Sequence, residues 1–343
     1  MRRLLAAAGV PQPRFRLLRL PVGEDLDAVL RRAASRQTYP CVLKPTSLAA
    51  SRGVIRADDP AAFVTAARRI LRILDDADKA GAGQGEVPSA RPSSAPRRLL
   101  VEEYIPGREV ALEGLLRHGR LRTFALFDKP DPMEGPYFEE TLYVTPSRLP
   151  SATQRAIERT TAAAARALGL RDGPVHAELR MPPSAHSAHP DTGGRSATVS
   201  RGTAFARDAS DGRPRIIEIA ARSIGGLCAR ALRFGTGLSL EEVVLLHATG
   251  RDVARLRRER AAAGVMMIPI PRAGVLRDIH DIAAARRVPG VRAITITATL
   301  GKPITPLPEG HAYLGFIFAR GRTPAAAESA LRAAHRRLRI VID

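Results

Sequence analysis

Short apolar runs of period two, separated by turn residues, recur along this chain, and two of them carry an acid in mid-strand. The first, GPVHAELRM at 173–181, holds Glu178; the second, PRIIEIAARSIGG at 214–226, holds Glu218. A strand buries a carboxylate only where something offsets its charge, and a divalent cation is the usual partner. Strand side chains alternate, so positions 218, 220 and 222 share a face for as long as the strand lasts. The pattern therefore aims Glu218 and Arg222 into one site.

The other elements follow from the same reading. Residues 1–9 read as a helix end stopped at Gly9, followed by a short strand. Apolar positions Leu26, Val29, Leu30 and Ala33 define an amphipathic helix over 24–36. YPCVLKP is a strand ending at Lys44 and Pro45; TSLAASRGVIRADDP is a small-residue turn, a second strand and a helix start near residue 60. Residues 78–97 lack periodicity and are rich in Gly, Ser and Pro, which marks a mobile surface loop. The runs RLLVEEYIPG, REVALEGLLRHG and LRTFALFDKP predict a three-stranded meander, and 127–150 a long proline-rich loop. A helix capped by Ser151 and stopped at Gly169 precedes the two acid strands. The 182–213 stretch between those strands reads as a disordered insertion. Two helices follow Gly226, the second opened by Ser239 with Glu242 at capping-box distance. From Gly264 on, strands alternate with helices at 277–287 and 323–338, an α+β unit with no catalytic cluster.

Composition narrows the classes. Apolar residues form 45% of the 343, enough for a globular core, and no run is long and apolar enough to span a membrane. With no cleavable leader pattern, the expected location is cytoplasmic. Cys41 and Cys228 lie in or next to apolar runs without metal spacing, so buried thiols are expected rather than a disulfide. A net charge of +20 invites a nucleic-acid reading, but the arginines are dispersed and aromatics make up only 4%, leaving few stacking platforms. Against this arginine background four lysines stand out, at 44, 79, 129 and 302. A lysine at the end of an apolar strand points to a task for a compact ammonium. Lys44 before a flexible strand–turn–strand segment describes a phosphate-covering hairpin, although the turn keeps only Gly53.

Lys44 before that hairpin, VEEYIPGREV, HAEL and EIAAR together follow the motif order of the ATP-grasp ligases. The resemblance covers 1–260, and the tail is similar to the C-terminal domain of the L-amino-acid ligase branch; the matched family includes biotin carboxylase-like enzymes. It implies an α+β ATP-grasp fold, two subdomains gripping ATP at 1–98 and 99–260, and a C-terminal α+β domain at 264–343. It also implies an upstream domain that this sequence lacks, so truncation, or supply of that part by a partner or homodimer, is the expectation.

By the resemblance, Lys44 meets the ATP phosphates and Ser51, Arg52 and Gly53 close over them. Glu102 receives the adenine amino group, the backbone at Glu103 and Ile105 makes edge contacts, and Glu109 accepts from the ribose. Glu178 and Glu218 hold Mg²⁺, with Mn²⁺ as a substitute, and Arg222 steadies an acyl phosphate. Lys129, Glu140 and His176 are weaker substrate candidates. The plain alternatives stay open: Glu102 and Glu109 as surface acids, Arg222 in a salt bridge, His176 as a core histidine, Lys129 and Glu140 as exposed loop charges. Ala220 stands where many relatives carry an Asn ligand. The implied activity is an ADP-forming ligation of a small carboxylate to an amine, with amino-acid-type substrates; a non-catalytic ATP-binding protein of the same fold is the alternative.

Overall fold

In the computed structural model, which describes residues 1–21, 23–81, 97–183 and 212–343, helix α1 (Arg2–Ala7) ends where Gly9 turns left-handed at φ +64°. There follow β1 (Phe15–Leu20), α2 (Leu26–Ala34), β2 (Cys41–Pro45), β3 (Ile55–Ala57), α3 (Pro60–Gly81) and β4 (Arg97–Glu103). Next come β5 (Arg108–Arg117), β6 (Arg120–Asp128), β7 (Leu142–Thr145), α4 (Ser151–Ala167), β8 (Gly173–Met181) and β9 (Arg215–Ala220). A 3-10 turn (Cys228–Ala231) leads to α5 (Leu240–Ala248), β10 (Ala262–Ile268), β11 (Gly274–His280), α6 (Ile282–Arg286) and β12 (Val291–Ile296). The chain closes with β13 (Pro303–Ile304), β14 (Gly315–Gly321), α7 (Pro324–His335) and β15 (Arg339–Ile342). Among the described residues no helix is long and apolar enough to cross a membrane.

Two compact units result. The first comprises Met1–Gln12, Ile105–Pro130 and Tyr143–Ala263; the second comprises Pro13–Tyr104, Asp131–Leu142 and Gly264–Asp343. Each unit thus draws on three segments of the chain, and 264–343 falls in the second together with 13–104 and 131–142.

In the first unit, strands β7-β6-β5-β8-β9 lie in that order, with antiparallel pairing at every junction. Its core gathers Val110 and Leu112 of β5, Val175, Ala177 and Leu179 of β8, Ile216 and Ile219 of β9, and Ile157, Ala164 and Ala165 of α4. In the second unit, the antiparallel sheet β1-β4-β2-β3 packs on α2 and α3 through Leu30, Leu43, Phe63, Ile70 and Leu99. The same unit holds the β12-β14-β10 strands and the small sheet β13-β11-β15.

Several expectations are corrected. β4 does not join β5 and β6 in a meander: it pairs with β1 and β2, while β5 pairs with β6 and β8. The cause sits at Gly107, where φ is +100° and a Cβ would lie 2.1 Å from the Met181 carbonyl oxygen. Only glycine allows the chain to turn there against β8. The proline-rich loop contains a fully buried strand, β7, too short for its periodicity to be read. Helix α4 begins at Ser151 with Pro150 at the cap and no side-chain cap bond. Part of the expected 277–287 helix is strand β11, tied to β13 and β15, and only its end is helical. The first helix after Gly226 is a 3-10 turn. Residues 78–81 of the expected loop belong to α3 and residue 97 to β4, and the rest of that loop lies outside the described residues, as does most of the 182–213 insertion. The Ser239–Glu242 capping box forms in full, Glu242 N donating to Ser239 Oγ at 3.1 Å and Ser239 N to Glu242 Oε2 at 2.7 Å.

Cys41 and Cys228 are both buried thiols, neither in a disulfide. Burial in the second unit's core pushes the Cys41 thiol from its ordinary 9.0 up to about 12. A thiol-specific reagent at pH 8 is therefore expected to label neither cysteine until denaturant is added, and then both. Because the folded value is the higher one, the Cys41 contribution to stability is complete below about pH 9 and declines as pH rises toward about 12. Urea midpoints of the native chain and Cys41→Ala across that window check it.

Candidate active site

Register divides the first unit's sheet into an apolar face and a charged one. On β5 the positions 110 and 112 face the core, so 109, 111 and 113 face away; on β8 the outward set is 176, 178 and 180. Pairing then sets Glu113 opposite His176, Ala111 opposite Glu178 and Glu109 opposite Arg180. On the other side of β8, Glu178 faces Glu218 and His176 faces Ala220. The last alignment depends on a bulge. The register shifts between Glu178 and Leu179, which pairs with Ile216, leaving Ile217 as the extra residue. Ile216 and Ile219 are three apart yet both belong to the core, which strict alternation forbids. The bulge therefore puts Glu218 on the charged face beside Glu178.

An arginine from the N-terminal helix holds that bulge. Arg2 is 6% exposed and its two terminal nitrogens donate to the carbonyls of Ile216 and Ile217, each at 2.7 Å. Ile216 N in turn donates to Pro11 O at 2.9 Å.

On the charged face, opposite signs alternate through six side chains. Glu113, 1% exposed, hydrogen bonds to His176 Nδ1, and His176 Nε2 lies 3.3 Å from Glu178 Oε1. Lys129 Nζ, from the end of β6, sits 3.1 Å from Glu178 Oε1 and 2.6 Å from Glu109 Oε1. Arg180 Nε reaches Glu109 Oε2 at 2.7 Å, and its Nη1 donates to the Ile105 carbonyl at 2.9 Å. Tyr143 OH donates to Glu178 Oε1 at 3.4 Å. Burial opposes charge on His176, but the Glu113 and Glu178 carboxylates prevail and push it up to about 10. Burial also raises Glu113, against the pull of His176 and the Ile224 N–H.

This placement bears on four residues. Glu109 is not a surface acid: it is 6% exposed and each of its oxygens already takes a cation, so a ribose contact requires one of them to turn. Lys129 is a buried cation rather than an exposed loop charge. His176 is a satisfied core histidine between two carboxylates. Ile105 lends its carbonyl to Arg180. Glu218 and Arg222, in contrast, are half exposed, 3.9 Å apart, and Arg222 stands two residues beyond the end of β9, its Nη1 on the Ser223 carbonyl at 2.8 Å.

In the second unit Lys44 Nζ lies 2.8 Å from Glu102 Oε2, and that carboxylate is almost wholly buried, which excludes a solvent-exposed strand end. Glu103 turns to Arg14: its carboxylate takes Arg14 Nε and Nη2, both at 3.1 Å, and its N–H donates to Arg14 O at 2.9 Å. The turn after β2 takes left-handed backbone at Ala50 (φ +54°), Ser51 (φ +57°) and Gly53 (φ +70°). For the two non-glycine residues that conformation costs about 1–2 kcal/mol each. Gly53 N donates to Pro308 O at 2.9 Å and Arg52 Nε to Glu309 O at 2.8 Å. Glu139 and Glu140 are half-buried, and burial raises the Glu139 carboxyl.

Glu178 and Glu218 suit a hard divalent cation: two carboxylates on adjoining strands, one of them open to solvent, supply oxygen donors of the type Mg²⁺ selects. Ala220 adds no oxygen. Sequence reasoning missed Glu113, Arg180, Tyr143 and Arg2. Counting in twos from Glu109 and Glu178 finds the first two, whereas Arg2 and Tyr143 arrive from elements remote in sequence.

Two family models match. Residues 37–189 match the ATP-grasp domain and residues 266–343 the L-amino acid ligase C-terminal domain 2. Lys44 to Glu178 fall within the first stretch, while Glu218 and Arg222 lie between the two. Alanine–anticapsin ligase of Bacillus subtilis is 28% identical over 170 residues, 46% of this chain and 32% of that protein. Carnosine synthase 1 of Gallus gallus is 36% identical over 86 residues, 25% of this chain and 9% of that protein. The chain thus spans about a third or less of the curated relatives it matches. The crystal structure of an L-amino acid ligase from Bacillus licheniformis superposes with a TM-score of 0.72 at 23% identity, covering all of this chain and 72% of that one. The fold is the ATP-grasp fold.

Replacing Arg2 by Met strips one buried and one part-buried carbonyl of a charged donor. The expected loss is about 3 kcal/mol of stability in urea unfolding, with only partial recovery for Arg2→Lys, whose ammonium cannot fork between two acceptors.

Proposed function

We propose that this chain, which carries an ATP-grasp domain and an L-amino acid ligase C-terminal domain, is an ATP- and Mg²⁺-dependent ligase joining a small carboxylate to an amine. The observation that carries the reading is the bulge-set pairing of Glu178 with Glu218 on the charged face of β8 and β9. Alanine–anticapsin ligase and L-amino acid ligase are named for amino acids, and amino-acid-type substrates are the class we assign here.

Each residue has a chemical part. Bound Mg²⁺ would neutralise nucleotide phosphate charge, and Glu178 and Glu218 are the side chains that would hold it. Lys44 faces the phosphates once its ammonium leaves Glu102, and Ser51, Arg52 and Gly53 form the loop over them. Glu102 is left to accept from the adenine amino group. The substrate's carboxylate oxygen attacks the γ-phosphorus as the bond to ADP breaks. The amine nitrogen then attacks the acyl carbon, phosphate departs with the bonding electron pair, and the amine's proton passes to solvent. Arg222, half exposed next to Glu218, is placed to offset the charge of the acyl phosphate. Lys129, His176, Glu113 and Arg180 brace Glu178 and Glu109 rather than meet substrate. The acyl phosphate hydrolyses in water, which is the reason for a covering loop.

One observation favours a second reading. Ala220 removes an oxygen ligand that the resemblance leads one to expect, which suits a nucleotide-binding protein that does not turn over.

Coupled ADP release over a panel of amino-acid pairs separates the two, the ligase reading requiring amine-dependent ADP and the second only thermal stabilisation by Mg-ATP. Under the ligase reading Glu218→Gln lowers the rate by at least about 100-fold while Mg-ATP still binds. Ala220→Asn, which restores an amide oxygen on the same face, is expected to lower the Mg²⁺ concentration for half-maximal rate by about threefold or more.

A further inference from the structure

The turn at 50–53 is left-handed at two residues that disfavour it, and such backbone persists only where surroundings determine it. Within the second unit those surroundings come from the C-terminal segment, where the sequence promised no functional group. Gly53 N–H is taken by the Pro308 carbonyl and Arg52 Nε by the Glu309 carbonyl. Glu309 is itself fixed by its side chain: Arg69 of α3 binds it through both oxygens, Nε to Oε1 at 2.5 Å and Nη2 to Oε2 at 2.9 Å. Arg69 also hydrogen bonds to Tyr137 OH, and its guanidinium lies 4.9 Å from that ring's centre. Tyr137 in turn bridges to Ile55 of β3, the strand that leaves the turn. The contacts close a ring: turn, C-terminal segment, α3, Tyr137, β3 and back to the turn.

The geometry points to Glu309 and Arg69 as positioning residues that preset the 50–53 turn for nucleotide, so that the C-terminal segment governs how tightly the chain grips ATP. The inference rests on the reading of that turn as the phosphate-covering loop. A bidentate guanidinium–carboxylate pair fixes direction as well as distance, so the Glu309 backbone is held at the angle that offers its carbonyl to Arg52. With the turn already shaped, less ordering is left for binding to supply. The pair works without touching ATP, since its atoms engage one another, Tyr137 and the turn.

The test uses the full chain with Glu309→Gln, Arg69→Lys and the charge swap Arg69→Glu/Glu309→Arg, each checked for an unchanged thermal transition. Hydrogen–deuterium exchange of peptides covering 48–54, without nucleotide, is expected to quicken about tenfold in Glu309→Gln, with protection elsewhere retained and partly regained in the swap. Calorimetric titration with Mg-ATP is expected to show affinity weakened about tenfold in the same variant and partial recovery in the swap, and where turnover is measurable KM for ATP rises while kcat stays within about threefold. Unchanged exchange in 48–54 with intact Mg-ATP binding overturns the positioning role alone. A complete lack of Mg-ATP binding by the unaltered chain overturns the nucleotide reading, and the role for this pair falls with it.

Discussion

Everything on the charged face of the first unit depends on one constraint, the registry of β5, β8 and β9. A sheet with α4 on one side must put its apolar set inward on all three strands, and the period of two then fixes what points outward. β5 and β8 satisfy this by plain alternation. β9 cannot, because Ile216 and Ile219 both belong to the core, and the extra residue at Ile217 resolves the conflict. A strand without the bulge would either expose an isoleucine or turn Glu218 into the core. Arg2 makes the irregular backbone affordable by giving its two carbonyls a charged donor.

The alternating row from Glu113 to Arg180 makes the same point energetically. An isolated buried carboxylate or ammonium costs several kcal/mol of desolvation, and pairing returns that cost only where geometry is good. Here each charge has an opposite neighbour on at least one side, and the interior members have one on both. Glu178 sits within the row with contacts to Lys129, His176 and Tyr143, while Glu218 is half exposed. Two acids that look equivalent in sequence therefore differ in setting: one is pre-oriented by its neighbours, the other stands half exposed beside Arg222. The loss of any one neighbour is predicted to disturb Glu178 more than its distance alone suggests, since networks of this kind are not sums of pairs.

What the sequence disclosed follows from how local each feature is. Glu178 and Glu218 were legible because each interrupts an apolar run, and Lys44 because lysine is scarce. The capping box at Ser239 and the left-handed stop at Gly9 are local chemistry, readable from a few residues. Glu102 could not be placed, because whether a strand end is buried depends on which strands flank it, and the turn at Gly107 sent β4 and β5 to different neighbours. In sequence Glu109 reads as a ribose contact or a surface acid, since its partners Lys129 and Arg180 are fixed by β6 and β8. Residues 277–280 read as the start of a helix, but pairing with β15 makes them strand. The tail reads as chemically empty because the partners of Glu309, Arg69 and Arg52, lie 240 and 257 positions away in sequence.

The lysines give the last step. Of the four, Lys79 is a solvent-facing helix residue and Lys302 is exposed, while Lys44 and Lys129 stand at or just past strand ends, each against a buried glutamate. Arginine serves most other cationic positions in this chain, so its avoidance at these two has a physical reason. A guanidinium commits a planar fork to one carboxylate, whereas an ammonium is a point charge that several acceptors share. Lys129 uses that property directly, touching Glu109 and Glu178 while lying 5.0 Å from the centre of the Tyr143 ring. Lys44 is 21% exposed at its side chain against 2% for Glu102, so its ammonium has room to move while the acid stays in place. That asymmetry of exposure within one ion pair is what lets a strand serve as core scaffold and as the seat of a mobile charge.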